Sequence, residues 1–479
     1  MKSLTKNSIY NIIYKCANIL FPLLITAHAS RILMADGIGK VSSAQNIATY
    51  FAIFAALGLP TYGIKLIASV RNNKNKQDAA FTELFIINAV STLFFTFAYC
   101  ALILCIPYFQ ERIDLSIVCG LAVLFNIINI DWFYQGREEY GYITLRSIII
   151  KIISLIAVYA FVRNANDFVA YAAILTLSKV ANNVFNIIHA RRYVHLTLKN
   201  IKVKKHLKPI FLLLAASLAI EIYTLADTTM LTFVHGDAIV GYYSTARKSI
   251  DVARALVIAL CAVLLPRLSY LYSNNKKSEF NSLANKGIKV LLYASIPTAI
   301  GVILTAKDFV PIIFGDGYEG AVLATQILSI SIMSVAFSNF FGNQILITTN
   351  KEKEMLKSTI VGAVINILLN LLLIYQYAQN GVAVASVITE ICVTVYQFIV
   401  VKKCVKLENY KSVISSIVAG SLGMTAIVIL INLTNMNSIF KLALQVLLGA
   451  SAYLAITLLL KNSIAISIKN KARQLLRVK

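Results

Sequence analysis

Long apolar stretches separated by short polar ones run along the whole chain. Each stretch has roughly 20 residues, the length a helix needs to cross about 30 Å of hydrocarbon. No polar stretch between them is long enough for a separate soluble domain. The pattern predicts an all-α polytopic membrane protein with about fourteen transmembrane helices, at 10–33, 41–68, 81–107, 115–134, 147–163, 168–189, 210–234, 241–268, 288–308, 319–348, 357–377, 381–401, 412–432 and 439–460.

Composition supports the membrane class. The 479 residues are 58% hydrophobic and 14% charged, whereas a soluble protein carries about 25% charged residues. The net charge of +24 would also suit a nucleic-acid-binding protein, but such proteins concentrate their basic residues on one soluble face. Here the basic residues cluster in every second connection between apolar stretches, so we expect no nucleic-acid partner.

The basic connections set the orientation. Thirty-four of the 45 Lys and Arg residues lie at the two termini and in alternate connections, and six lie in the remaining connections. Lys and Arg are retained on the cytoplasmic side of a membrane. We therefore expect both termini in the cytoplasm, and we call the side with few basic residues the outer side.

A weak internal repeat recurs about 200 residues along the chain, with both copies in the same orientation. GKVSSAQ at 39–45 aligns with GYYSTAR at 241–247. The repeat predicts two six-helix lobes, at 1–205 and 206–401, related by a pseudo-twofold axis along the membrane normal and facing a central cavity. Residues 402–479 would add two helices and a basic cytoplasmic tail. Three further matches follow in the same order, LP at 59–60 with 265–266, NNK at 72–74 with 274–276, and LRS at 145–147 with LKS at 356–358.

Two segments carry a family resemblance. DWFYQG at 131–136, followed by Glu138 and Arg146, resembles Wzx-type polysaccharide flippases, and so does GYYSTARK at 241–248 running on to LPR at 265–267. That family belongs to the multidrug/oligosaccharidyl-lipid/polysaccharide exporter superfamily. Many of its members are described with twelve spans, while the related lipid II flippases have fourteen.

The resemblance implies a function and its partners. It implies alternating access in the bacterial cytoplasmic (inner) membrane and an undecaprenyl-diphosphate-linked oligosaccharide as substrate, for O-antigen, lipopolysaccharide or capsule synthesis. The protein would act as a monomer, with a polysaccharide polymerase and its chain-length machinery as partners. Two other functions stay open, a cation-coupled multidrug exporter of the same superfamily and a membrane polymerase or acyltransferase.

Charges within a span cost about 2.5–3.5 kcal/mol each, so they normally face a cavity or a partner. Arg247, Asp251 and Arg254 recur at one helical face of span 241–268. A guanidinium suits a phosphate because it donates two parallel hydrogen bonds. We expect Arg247 and Arg254 to hold the anionic head group. An ion-pair stripe with Asp251 that only joins helices is the alternative.

Two more basic residues complete the expected head-group site. Lys179 lies at the middle of its span and Arg31 near the end of the first span. Lys179 is predicted to meet Glu390 across the cavity, or each pairs within its own lobe. Arg31 is equally explained by a side chain that extends to the membrane interface.

Intramembrane carboxylates are candidates for ion coupling, because they can bind Na⁺ or cycle a proton. Glu221 and Asp227 in span 210–234 are the main candidates, with Asp251 and Glu390 as others. Pairing of Glu221 or Asp227 with the arginines of the next span is the alternative. An interfacial anchor accounts for Asp131 and Trp132.

Motifs for other chemistry are missing from the sequence. Residues 37–40, GIGK, lack the first glycine and the following Ser or Thr of a phosphate-binding loop. No metalloprotease or nucleophile-elbow motif occurs, and no Cys-x-x-Cys pair is present. We therefore expect a transporter, not an enzyme, with no cofactor and no metal ion.

Overall fold

The computed structural model describes residues 4–197, 201–262 and 264–477, and in this part of the chain all regular structure is helical. Two short irregular helices accompany the α-helices, a 3-10 turn at Phe125–Ile128 and a π-helix at Phe340–Leu346. The α-helices are α1 Leu4–Ala56, α2 Leu59–Val70, α3 Lys74–Cys105, α4 Pro107–Gln110, α5 Ile113–Leu124, α6 Asp131–Gly136, α7 Tyr140–Phe161, α8 Phe168–Ala190, α9 Lys204–His235, α10 Asp237–Ala262, α11 Leu265–Ser273, α12 Lys277–Phe314, α13 Glu319–Ser329, α14 Ser331–Asn339, α15 Glu352–Val401, α16 Lys411–Asn432, α17 Ser438–Leu459 and α18 Ser463–Arg477.

Many of these helices are long and apolar enough to cross a membrane, so the prediction of a polytopic all-α membrane protein is confirmed. In the described residues nine stretches qualify, or ten when the bent pair α13–α14 is one span. Two of the nine, Leu20–Val70 and Glu352–Val401, have 51 and 50 residues, about 75 Å of helix and more than twice the hydrocarbon thickness. Each is interrupted by a residue with non-helical φ and ψ, Met34 and Ala378. The count of fourteen stays a prediction.

Helix starts follow local sequence signals. The side chain of Asn73 accepts a hydrogen bond from the backbone N–H of Lys76 and caps α3, and Asn437 caps α17 in the same way through Ile439. Pro60 and Pro107 occupy the first turns of α2 and α4, where the missing N–H has no cost. The polar connections therefore specify where several helices begin.

The chain divides into two compact units, Met1–Gly241 and Tyr242–Lys479. The predicted division at 205 and 401 into two lobes and a C-terminal addition stays a prediction. In the second unit α16 and α17 pack on α12: Tyr453 donates a hydrogen bond to the carbonyl of Tyr293 at 2.8 Å, and Tyr293 and Thr457 are hydrogen-bonded at 3.0 Å. The last two long helices thus belong to the core of the second unit.

An aromatic cluster fills the core of the first unit. Trp132 is only 3% exposed and packs against Phe81 and Phe133. A Cβ atom at Gly63 of α2 would lie 2.7 Å from the indole ring. The interpretation of Trp132 as an interfacial anchor is therefore wrong, because the glycine lets helix α2 close over the ring and remove it from the interface.

The contact between Gly63 and Trp132 predicts a stability difference between two Gly→Ala substitutions. Gly63→Ala should lower the melting temperature in detergent, because crowding a packed core costs about 1–3 kcal/mol. Gly301→Ala is the matched control, since a Cβ there has no atom within 4 Å and alanine favours a helix. Emission from Trp132, the only tryptophan, reports the unfolding. Equal melting temperatures for the two variants would contradict this packing.

Candidate functional site

Three charges of α10 form a linked stripe in the second unit. The Asp251 carboxylate oxygen Oδ1 lies 3.3 Å from Nε of Arg247 and 3.0 Å from Nη1 of Arg254. One carboxylate thus serves two guanidinium groups and leaves the stripe with a net positive charge. Both pairs lie within one helix, and the alternative role of the stripe in joining helices stays a prediction.

The stripe faces away from the apolar side of its helix. Leu256 and Leu260 of α10 are 62% and 51% exposed. At 100° per residue they lie about 200° and 180° around the helix from Arg254 and Asp251 respectively, on the side expected to meet lipid. On the opposite side the Asp251 side chain is 48% exposed. A carboxylate that is half exposed on the side opposite the lipid-facing leucines indicates a water-accessible opening there.

Arg254 is the most enclosed member of the stripe. Its side chain is 6% exposed, and Nη2 donates a 2.5 Å hydrogen bond to Oγ of Ser331 at the start of α14. The buried Nε has no hydrogen-bond partner among the described atoms. Glu390 of α15, itself buried, lies within electrostatic range. Arg254 is therefore held in place by Asp251 and Ser331, with one buried donor that these bonds leave unused.

Lys179 of α8 occupies a similar position in the first unit. Lys179 is exposed. It lies about 180–200° around the helix from Leu177 and Ile188, which are exposed on the other side. Its charge is within electrostatic range of Cys119 in α5. Lys179 thus faces an opening on the inner side of the helix. The predicted pairing of Lys179 with Glu390 stays a prediction.

The two carboxylates of α9 lie in different environments. Asp227 is 1% exposed and within electrostatic range of the Tyr50 phenol of α1. Next to it Asn46 donates to Oγ1 of Thr229 at 2.7 Å, which ties α1 to α9. Glu221 is half-buried, and its Oε2 atom accepts a hydrogen bond from Thr224 at 3.4 Å. Asp227 therefore has the drier site, and Glu221 is more open to water.

Arg31 lies elsewhere on the surface of the first unit. It is exposed on the same face of α1 as the exposed Leu20 and Leu24. This pattern favours a side chain at the membrane interface over one in an inner opening. The role of Arg31 in binding the head group stays a prediction.

A close backbone contact joins α1 to the start of α10 within the first unit, and the sequence alone did not predict it. A Cβ atom at Gly39 would lie 1.7 Å from the carbonyl oxygen of Asp237, and one at Gly241 would lie 1.9 Å from that of Ala35. Only glycine fits at these two positions. In the repeat Gly39 aligns with Gly241, and the same offset pairs Ala35 with Asp237, so the contact maps onto itself, as in a twofold-symmetric interface.

A polar lock surrounds this glycine contact. Asp237 pairs with Arg112 at 2.5 Å and accepts hydrogen bonds from Tyr108 at 2.5 Å and Ser43 at 3.4 Å. Burial and then the bond to Asp237 raise the pKa of Tyr108, so its phenol stays protonated as a donor. Thr232 extends the lock by donating to Ser43 at 2.9 Å. Asp237 at the start of a helix and the repeated glycines were the sequence signals for this feature.

Comparison with known proteins identifies the family. A family model described as "Polysaccharide biosynthesis protein" matches residues 4–272. The chain belongs to this family. A second model, MatE, matches residues 213–372. A relative from Escherichia coli K12, named as an O-antigen transporter, is 26% identical over 399 residues, which cover 82% of this chain and 95% of the relative.

Two solved structures share the fold of this chain. A structure titled "Lipid II flippase MurJ, inward closed conformation" superposes with a TM-score of 0.76 at 14% identity, covering 96% of this chain and 99% of that chain. An inward-facing multidrug resistance MATE family transporter of the MOP superfamily superposes at 0.58, also at 14% identity, covering 83% and 94%. The predicted resemblance to polysaccharide biosynthesis proteins is confirmed by the family match, and the two structures show the fold.

Proposed function

We propose that this protein is a flippase that moves undecaprenyl-diphosphate-linked oligosaccharides across the bacterial cytoplasmic membrane. It works by alternating access, coupled to an ion gradient, in the synthesis of a surface polysaccharide. Both termini lie in the cytoplasm. It acts as a monomer beside a polysaccharide polymerase and its chain-length machinery. The name of the Escherichia coli relative, with 95% of its length matched, supports the substrate class.

The basic stripe of α10 is the observation that carries this proposal. A diphosphate cannot enter hydrocarbon without a cationic partner, because burying an unpaired charge costs several kcal/mol or more. Arg247 and Arg254 share one carboxylate, on the side opposite the lipid-facing leucines. Their excess positive charge is what an anionic head group needs, while the lipid tail stays in the bilayer.

A cation-coupled multidrug exporter is the second candidate. The MatE match at 213–372 and the likeness to a MATE transporter favour it. An exporter of organic cations requires an acidic, aromatic site. Lys179, Arg247 and Arg254 on inner faces give the opposite polarity, so the flippase is the better supported function.

Alternating access requires a contact that closes on one side of the membrane and opens again. The glycine contact and its Asp237 lock lie where the sequence places outer-side connections, at 34–40 and 235–240. Because the contact is made at two glycines and by polar side chains that can be hydrated on separation, it is suited to reversible closure. We infer that it is the outer gate.

Substitution of Arg254 should impair transport without lowering the amount of folded protein. Arg254→Ala should abolish complementation of a flippase deletion, since the head group loses its most enclosed donor. Arg254→Lys should restore part of the activity, because it keeps the charge and loses the planar fork. Surface polysaccharide and protein level are both measured.

Leu256→Ala on the lipid-facing side of α10 is the matched control and should retain activity. Full complementation by Arg254→Ala at normal protein level would rule out the role of Arg254 in holding the phosphates.

A disulfide between Ser43→Cys and Thr232→Cys should lock the outer gate. Their hydroxyl oxygens are 2.9 Å apart, and a disulfide joins side chains at this separation. In a background without native cysteines, oxidation should stop transport into vesicles of defined orientation, and dithiothreitol should restore it. Each single-cysteine variant is a control. Undiminished transport by the oxidised double variant would show that the contact does not open.

The ion-coupling role of Glu221 predicts a change in gradient dependence. Glu221→Gln keeps the shape of the side chain and removes its charge, so transport should become less sensitive to an ionophore. The wild type, assayed in the same vesicles, should lose most of its rate on adding ionophore. An identical ionophore response in both would exclude Glu221 as the coupling group and leave Asp227 to be tested by Asp227→Asn.

A further inference from the structure

The fourth predicted span, 115–134, is broken in the structure. α5 ends at Leu124, a 3-10 turn covers Phe125–Ile128, and α6 begins only at Asp131. Backbone groups outside a regular helix are tolerated at membrane depth only where protein or a water-filled cavity satisfies them. In membrane transporters, interrupted helices often form the substrate site. The break is therefore a candidate ligand-binding site.

Asparagine side chains from two other helices hold the broken backbone. Asn88 of α3 donates to the carbonyls of Asn126 and Ile127 at 2.8 and 3.1 Å. Asn183 of α8 donates to the carbonyl of Phe125 at 3.2 Å. Asn126 in turn donates to Thr92 at 3.1 Å. Because side-chain donors satisfy the carbonyls that have lost their helical hydrogen bonds, the break is a specific structural feature and not a frayed helix end.

A second network fixes the residue that follows the break. Asp131 Oδ1 accepts hydrogen bonds from Asn186 at 2.5 Å and from Arg146 at 3.2 Å. Arg146, almost fully buried, also donates to Asn182 at 2.9 Å. The Asp131 side chain is nevertheless 29% exposed. Its described bonds all reach Oδ1, so Oδ2 is left as an acceptor on the exposed side.

Further polar atoms are available beside Asp131. Asn129 and Asn183 are half-buried, and their described bonds use the Nδ2 atoms, which leaves both Oδ1 oxygens as acceptors. Lys179 lies one turn before Asn183 on the same inner face of α8. We call Asn129, Asp131, Lys179 and Asn183 the break patch. All four belong to the first unit.

The chemistry of the break patch suits a sugar more than a phosphate. Three acceptor oxygens, one on a carboxylate, have no hydrogen to donate to a diphosphate but accept hydrogen bonds from hydroxyl groups. A site that hydrogen-bonds hydroxyl groups strongly rejects an analogue without hydroxyls, because the polar groups of the site are then left unpaired. The single ammonium of Lys179 can hold an adjoining anionic group.

We propose that the break patch binds hydroxyl groups of the saccharide carried by the lipid and determines which saccharide is accepted. This inference rests on the proposed function and places a sugar subsite within the first unit. Asn129, Asp131 and Asn183 contact the sugar, and Lys179 contacts its acidic substituent or the neighbouring phosphate.

The test compares two lipids that differ only in the sugar. Purified full-length protein is titrated with undecaprenyl diphosphate and with undecaprenyl diphosphate carrying one N-acetylhexosamine, and binding is followed by thermal shift. The wild type should bind the glycosylated lipid more tightly. Asp131→Asn, which keeps Oδ1 and the shape of the side chain, and Asn129→Ala should each weaken binding of the glycosylated lipid by about tenfold, the effect of one hydrogen bond to a charged or fixed group. Binding of undecaprenyl diphosphate should not change.

Controls separate the possible failures. Leu177→Ala on the lipid-facing side of α8 should change neither affinity, and Asn88→Ala, which removes a support of the break, should lower thermal stability without lipid. Equal losses for both lipids in Asp131→Asn and Asn129→Ala, or a wild type that does not distinguish them, would overturn the sugar subsite and leave the flippase proposal intact. A wild type that binds neither lipid would overturn the proposed function and the subsite together.

Discussion

Hydrocarbon solvates neither charges nor free backbone groups, and this constraint governs the whole structure. Every polar feature in the spans must therefore be paired, covered or turned to water. The α10 stripe meets this requirement with one carboxylate between two arginines on the side opposite exposed leucines. The broken fourth span meets it with asparagine donors aimed at its freed carbonyls. Where pairing is incomplete, the structure retains capacity to bind a polar ligand.

The two units present different chemistry on their inner faces. In the second unit the stripe has an excess of positive charge and suits an acidic head group. In the first unit the break patch offers mostly oxygen acceptors beside a single lysine and suits hydroxyl groups. A lipid-linked saccharide has both kinds of group joined together. The proposed substrate class therefore matches the chemistry of each unit taken by itself.

The glycine contact shows how a repeat can supply a gate. Backbones approach closely only where no Cβ intervenes, so Gly39 and Gly241 allow a contact that larger residues would prevent. Because the two glycines are repeat partners, each one admits the backbone of the other repeat at the same contact. The surrounding bonds of Asp237 with Arg112 and Tyr108 are polar and can be exchanged for bonds to water on separation. Such a contact can be specific without being permanent.

The sequence by itself determined the class of the protein, because apolar length, charge placement and repeated motifs respond directly to the bilayer. It also determined the helical face shared by Arg247, Asp251 and Arg254, since that face follows from helical periodicity. Tertiary structure alone decided the rest. It buried Trp132 against Gly63, joined Asp237 to Arg112 across more than a hundred residues, and broke the fourth span where Asn88 and Asn183 could support it. These features depend on which helices become neighbours, and hydrophobic periodicity, which is alike in every span, does not specify neighbours.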